Sequence, residues 1–219
     1  MDTNPCTQPA CRENHGYRDQ CRAYSERVIP RYDAVKSILS NPKVNIVIDD
    51  GRRWLRNNPG RKFDAVIANA TYHWREHASS LLSREFMEQV KAHLNPGGIY
   101  LFNATGSDRA AKTALEVFPD CALLLNNILA SNAPLKYNKQ RWRQTLAAYN
   151  YRGKPLFDIN DINDARELEK IVSIIDNLGV RDVPTEQRLW TREILEQDPG
   201  TQKARPITDD NLGHEFWSH

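Results

Sequence analysis

The chain has 219 residues, of which 40% are hydrophobic and 26% charged, enough for one domain with a substantial core. Its 30 basic and 28 acidic side chains leave a net charge of +2, which gives no reason to expect a nucleic-acid or anionic-membrane partner. Four cysteines are too few for a disulfide scaffold, so we expect reduced thiols and a cytoplasmic protein. No apolar run approaches the ~20 residues of a membrane helix.

The hydrophobic pattern changes along the chain and predicts its organisation. Residues 1–29 show no clear period and are interpreted as an irregular segment. The main domain is predicted over 30–212, with a core at 30–130 and a helical C-terminal part at 138–197. Residues 213–219 are a short tail.

Strand-like and helix-like patterns alternate through the core. Apolar and β-branched runs predict strands at 44–48, 63–68, 99–102 and 121–129. Helical periodicity predicts helices at 52–58, 83–94 and 107–117, and further helices at 138–149, 164–178 and 184–197. This order predicts an α/β fold with a mostly parallel sheet and helices on both of its faces.

Short polar groups follow three of the predicted strands, at Asp49–Gly51, Asn69–Thr71 and Asn103–Gly106. Ligands of open parallel sheets bind beyond the carboxyl ends of the strands, so these groups are candidates for one site. A carboxylate such as that of Asp50 accepts hydrogen bonds from amino groups. The alternative is that each group is an ordinary turn.

Four segments resemble a known family when they are taken in order. They are V-N-I-V-I-D-D-G-R-R-W-L at 44–55, F-D-A-V-I-A-N at 63–69, L-S-R-E-F at 82–86 and L-N-P-G-G at 94–98. Together they resemble the spermidine-synthase-like, or polyamine aminopropyltransferase, domain of the S-adenosylmethionine methyltransferase fold. The T-D-D segment at 208–210 is similar to a terminal motif of that family, and the loop at 69–83 resembles its bacterial subgroup fused to a membrane-spanning region.

The resemblance implies a Rossmann-like sheet of the methyltransferase type and a cofactor, S-adenosylmethionine or its decarboxylated form, without a metal. Asp50 would contact the adenine amino group, and Asp49 and Gly51 would shape the adenine pocket. Glu13 would hold the ribose hydroxyls, with a solvated surface acid as the alternative.

The resemblance also implies an acceptor site for an amine. Asn69 stands where the family carries a catalytic aspartate, and Leu82 stands where many members have a tyrosine near the polyamine. An amide is not a general base near neutral pH, so aminopropyl transfer is expected to be impaired. The loop between them supplies the other candidate substrate contacts, which are Thr71, Tyr72, His73, Trp74 and His77.

The predicted function is therefore a spermidine-synthase-like transferase that binds a nucleoside and an amine. Because no G-x-G turn occurs in the chain, the domain is expected to be truncated at its start and of reduced activity. Alternatives are a non-catalytic nucleoside-binding or regulatory remnant and a methyltransferase. An incomplete sheet would leave the strand at 44–48 near an open edge, which predicts self-association or a partner that covers the edge.

A metal motif competes for the same loop. His73, Glu76 and His77 match H-x-x-E-H, in which two histidines on one helical face bind zinc and the glutamate polarises water. The motif follows a predicted strand rather than lying in a predicted helix, and a third protein ligand is not marked. A zinc hydrolase is therefore retained only as an alternative.

Overall fold

The structure is a computed structural model and describes residues 41–47, 49–68, 78–151 and 153–212. The chain divides into two compact units, Met1–Asn57 and Asn58–His219. Within the described ranges, no helix is both long and apolar enough to cross a membrane.

The described part of the first unit ends in helix α1, Gly51–Asn57, where the sequence predicts a helix at 52–58. The predicted strand at 44–48 is wrong over its described residues, because 44–47 form no strand and Val44 is 39% exposed. β-branched residues favour a strand when a neighbouring strand pairs with them, and the described residues give 44–47 no such neighbour.

The second unit contains a central sheet with flanking helices. Its first half contains β1 Phe63–Ala68, α2 Arg84–Ala92, β2 Leu94–Asn103, α3 Asp108–Val117, β3 Asp120–Leu124 and β4 Asn127–Ser131. Its second half contains α4 Lys139–Ala148, β5 Asn150–Tyr151, β6 Lys154–Pro155, α5 Ile162–Val172, β7 Leu189–Trp190, α6 Arg192–Gln197 and α7 Pro199–Lys203. Short 3-10 turns cover Ala78–Leu81, Ser173–Asn177 and Thr185–Gln187.

The main sheet confirms the α/β class. Its strand order is β1-β2-β4-β3-β7, and β1 pairs with β2 in parallel. The other described pairs of this sheet are antiparallel. Open α/β sheets commonly carry antiparallel strands at one edge of a parallel sheet, and such a sheet is consistent with the methyltransferase type of fold.

Among the segments that differ from the sequence prediction, two change the topology of the sheet. The strand predicted at 121–129 is a hairpin of β3 and β4, in which Leu125 begins the turn with φ 58°. The helix predicted at 184–197 is interrupted by β7, and only Arg192–Gln197 of it is α-helical. Strand β7 forms because Trp190 and Leu189 pair with Leu123 and Leu124, a contact between distant residues that local periodicity does not contain.

Aromatic side chains dominate the core between the sheet and helices α2 and α3. Tyr100 is fully buried, stacks on Phe102 at 4.9 Å between ring centroids, and meets Phe86 edge-on. Its hydroxyl donates to the carbonyl of Leu81 at 3.2 Å, so the polar end of the ring is not left unsatisfied. On α5, Leu168 and Val172 are buried, while Ile171 is 37% exposed.

Candidate functional site

Asp50 lies immediately before helix α1 and caps it. One carboxylate oxygen, Oδ1, accepts the backbone N–H of Arg53 at 2.8 Å, and the carbonyl of Asp50 accepts the N–H of Trp54. This is the side-chain capping that aspartate favours at a helix N-terminus. The residue is exposed, and in the described part of the chain the second oxygen, Oδ2, has no protein partner. Asp50 can therefore cap the helix and still accept a hydrogen bond from a ligand amino group.

Asp49 has a different role from its neighbour. Its side chain is only 8% exposed and forms an ion pair with Arg53 one helical turn on. Its Oδ1 also accepts the backbone N–H of Asp50 at 2.8 Å, which fixes the backbone leading into the cap. The described contacts of Asp49 are therefore structural, and its pocket-shaping role stays a prediction. Gly51 is exposed, with nothing within 4 Å of the place where a Cβ would lie.

Most of the other predicted site residues lie outside the described residues. They are Glu13, Asn69, Thr71, Tyr72, His73, Trp74, Glu76 and His77. Their assignments stay predictions. Among the described residues, there is no group of three or more histidine, cysteine or acidic side chains arranged to hold a metal ion.

Leu82 is described, and its surroundings favour a packing role. The side chain has no exposed surface and precedes Ser83, whose hydroxyl caps helix α2 by accepting from the N–H of Phe86. A side chain with no exposed surface offers no face to a substrate from solvent. The predicted substrate contact of Leu82 stays untested, and its burial argues for core packing instead.

A tight turn connects the carboxyl end of β2 to helix α3, at the position where the sequence predicts a ligand-facing group. Asn103 accepts the N–H of Thr105 at 2.8 Å and its hydroxyl at 3.0 Å. Thr105 and Gly106 have positive φ angles of 49° and 74°, and Ser107 caps α3 by accepting from the N–H of Ala110. Because Ala68 pairs with Phe102, the chain leaves β1 at this same end of the sheet.

A cavity of about 120 Å³ opens beside this turn, within the second unit. Its lining includes Gly106, Ser107 and Asp108, and also Arg188 and Trp190 from the strand β7 region. Of these residues, Gly106 belongs to the candidate segment Asn103–Gly106. Sequence reasoning missed Asp108, Arg188 and Trp190, because no motif links residues some 80 positions apart.

The T-D-D segment near the end of the chain has a structural role. The N–H of Ile207 donates to the hydroxyl of Thr113 at 2.8 Å, and its carbonyl accepts from Arg84. The backbone N–H of Asp209 donates to Glu85 at 3.0 Å. These contacts attach the segment to the first turn of α2 and to α3.

Comparison with known proteins confirms the resemblance over part of the chain. Residues 23–118 match the spermine/spermidine synthase domain. The matched range contains Asp49, Asp50 and Gly51, strands β1 and β2, and the turn that follows β2.

Two kinds of relative are found among characterised proteins. The malonyl-[acyl-carrier protein] O-methyltransferase of Halalkalibacterium halodurans is 25% identical over 189 residues, which is 82% of this chain and 66% of that protein. The polyamine aminopropyltransferases of Mycobacterium tuberculosis and Mycobacterium bovis are 38% identical over 78 residues, which is 35% of this chain and 15% of those proteins. Both relatives are transferases, and the chain spans only part of each.

Proposed function

We propose that this chain is a transferase domain of the aminopropyltransferase and methyltransferase type that binds a nucleoside cofactor through Asp50. The cofactor would be S-adenosylmethionine or its decarboxylated form. The observation that carries the proposal is the state of the Asp50 carboxylate, which caps α1 with one oxygen and leaves the other accessible. The match of residues 23–118 to the spermine/spermidine synthase domain supports the same cofactor class.

The described residues fit the adenine end of such a cofactor. The exocyclic amino group of adenine donates hydrogen bonds, and an exposed carboxylate oxygen is a suitable acceptor. The carboxylate of Asp49 is already paired with Arg53, so Asp49 does not compete with Asp50 for the ligand. Bound cofactor would supply an electrophilic carbon next to its sulfonium, and Asp50 would orient the nucleoside without taking part in the transfer.

Two versions of this function, aminopropyl transfer and methyl transfer, differ in the acceptor that they require. Aminopropyl transfer requires an amine that has lost its proton, and we propose that Asn69 gives little help with that step because an amide has no useful basicity. Methyl transfer is the second candidate, favoured by the O-methyltransferase relative whose alignment covers 82% of this chain. A domain that binds nucleoside without turnover is the third outcome of the experiments below.

The first experiment compares two nucleosides that differ at the adenine amino group. Calorimetry with the full chain measures the affinity for methylthioadenosine and for methylthioinosine, which carries an oxygen in place of that amino group. We expect the adenine form to bind more tightly by about 1–3 kcal/mol, the usual value of a hydrogen bond to a charged group. Equal affinity for the two nucleosides, or no binding of either, would contradict the proposed function.

The second experiment asks whether bound cofactor reacts. The full chain is incubated with decarboxylated S-adenosylmethionine and a diamine, and in parallel with S-adenosylmethionine and a carboxylate acceptor. Release of methylthioadenosine reports aminopropyl transfer, and release of S-adenosylhomocysteine reports methyl transfer. Binding without release of either product would identify a non-catalytic nucleoside-binding domain.

A further inference from the structure

The cavity beside the turn after β2 contains charged groups that the proposed function does not use. Its volume of about 120 Å³ admits a small organic molecule but not a nucleoside. Its lining includes cationic Arg188 and the acids Asp108 and Asp198. Apolar side chains, among them Leu123, Ile128 and Leu195, form much of the remaining wall.

The guanidinium of Arg188 is held in place but not neutralised. It lies over the ring of Trp190, with 4.4 Å from Cζ to the ring centroid. Trp190 is itself fixed, because its indole N–H donates to the carbonyl of Val180 at 3.1 Å. The Nε of Arg188 is buried, and the described residues give it no hydrogen-bond partner. A buried donor without a partner costs free energy, and a ligand carboxylate would remove that cost with the paired geometry that arginine favours.

The carboxylate of Asp108 is the corresponding acceptor. The described part of the chain gives its side chain no hydrogen-bond or ion-pair partner, and the side chain rests against the backbone of Gly200. Asp198, the nearby acid, already uses Oδ2 to accept the N–H of Thr201 at 2.9 Å. Asp108 is exposed to solvent as a residue, yet partial burial of its carboxylate, and then the charge of Asp198, raise its pKa above the usual value. A ligand ammonium group would relieve both effects, since it neutralises the carboxylate and screens it from Asp198.

We propose that this cavity binds a small zwitterion whose carboxylate pairs with Arg188 and whose ammonium group pairs with Asp108. An anion alone would satisfy Arg188 but would be repelled by the two acids. An amine alone would satisfy Asp108 but would be repelled by Arg188. A short amino acid satisfies both charges, and its methylene groups can lie against the apolar wall. This proposal does not depend on the proposed nucleoside function.

The test uses the full chain and a series of small probes. The zwitterions are glycine, β-alanine and 4-aminobutyrate, and the half-ligands are propylamine and propionate. Binding is followed by nuclear magnetic resonance through the indole N–H of Trp190, assigned with the Trp190→Phe variant. We expect at least one zwitterion to bind ten or more times more tightly than either half-ligand and to shift this resonance.

Variants of Arg188 and Asp108 test whether these two residues bind the charged groups of the zwitterion. Arg188→Gln and Asp108→Asn should each weaken binding of the preferred zwitterion about tenfold or more. The matched controls are Arg166→Gln and Asp182→Asn, exposed residues that do not line the cavity, and these should bind as the wild type does. Thermal melts confirm that each variant is folded.

Gly200→Ala offers an independent check without a change of charge. The added methyl group would collide with the carboxylate of Asp108 and force it to move, so binding should weaken in this variant too. The proposal is overturned if the zwitterions bind no more tightly than propylamine or propionate. It is also overturned if folded Arg188→Gln and Asp108→Asn proteins bind them as the wild type does.

Discussion

The hydroxyl of Thr113 links two parts of the second unit that are 94 residues apart in sequence. It accepts the N–H of Ile207 at 2.8 Å and donates to the carbonyl of Arg109 at 2.7 Å. Both Thr113 and Ile207 have no exposed surface. Together with the hydrogen bonds that Arg109 donates to Arg205 and Asn211, this buried hydrogen bond attaches the segment that carries the T-D-D motif to α3.

Replacing Thr113 by valine should weaken that attachment. Thr113→Val keeps the shape of the side chain but leaves the buried N–H of Ile207 without a partner, which costs about 1–3 kcal/mol. We expect a lower free energy of unfolding and faster hydrogen exchange at the Ile207 amide. Thr113→Ser is the control, because it keeps the hydroxyl and loses a methyl group. Exchange at Ile207 as slow in the valine variant as in the serine variant would contradict this role.

Alkaline pH should destabilise the second unit through its buried thiol and phenols. Burial raises the pKa of Cys121 from 9.0 to about 12 and that of Tyr137 to about 12, and it raises the pKa of Tyr100 as well. Each group loses its proton more readily in the unfolded chain, so stability is full below pH 9 and falls as the pH rises towards 12.

The contribution of Cys121 can be isolated with an alanine variant. One pKa unit corresponds to 1.36 kcal/mol, so the thiol should account for a loss of roughly 2 kcal/mol between pH 8 and 10.5. Urea unfolding across this range should show a shallower decline for Cys121→Ala than for the wild type. Parallel declines would indicate that the thiol is not buried in its neutral form.

Restoring a carboxylate at residue 69 tests the interpretation of the acceptor site. Asn69→Asp should raise any aminopropyl transfer, since general-base catalysis contributes about 10²–10⁴-fold to rate. The measurement is release of methylthioadenosine from decarboxylated S-adenosylmethionine with a diamine. Asn69→Ser is the control, because it changes the residue without adding a base. If Asn69→Asp protein binds the nucleoside but stays at the background rate, the acceptor site is absent as well.

The exposed apolar surface of strand β1 predicts association between copies of the chain. Within the described residues β1 pairs with β2, and its Ile67 is 67% exposed. Apolar edge strands pair with other chains, and two β1 strands can pair symmetrically. Light scattering over a concentration series should show a mass that increases with concentration and that Ile67→Lys reduces. Ile162→Lys, at a residue 71% exposed on α5, is the control and should not change the mass.

The elements that local sequence determines were predicted well. Ser83, Ser107 and Asn138 stand at the starts of predicted helices, and each caps its helix through its side chain. Gly179 directly follows the helix predicted at 164–178 and has a φ of 76°, as expected of a glycine that ends a helical segment. Helix caps and positive φ angles depend on residues close together in the chain, so the sequence alone is enough to predict them.

The elements that distant contacts determine were missed. Leu125 begins the β3–β4 turn with a positive φ, a position where glycine or asparagine is the usual signal. Its N–H donates to the carbonyl of Arg188 at 2.9 Å, so the turn depends on the same segment that adds β7 to the sheet. Arg188 and Trp190 of this segment also line the cavity, so local sequence patterns contain no signal for it.

The most direct test of the nucleoside function combines the Asp50→Asn variant with the two nucleosides of the calorimetry experiment. Asparagine retains the cap of α1, because it is as good an N-cap as aspartate, so the variant should remain folded. Asp64→Asn is the control acid. We expect the wild type and Asp64→Asn to prefer methylthioadenosine over methylthioinosine by about 1–3 kcal/mol. We expect Asp50→Asn to lose this preference. An unchanged preference in Asp50→Asn would contradict the central claim that Asp50 binds the adenine amino group.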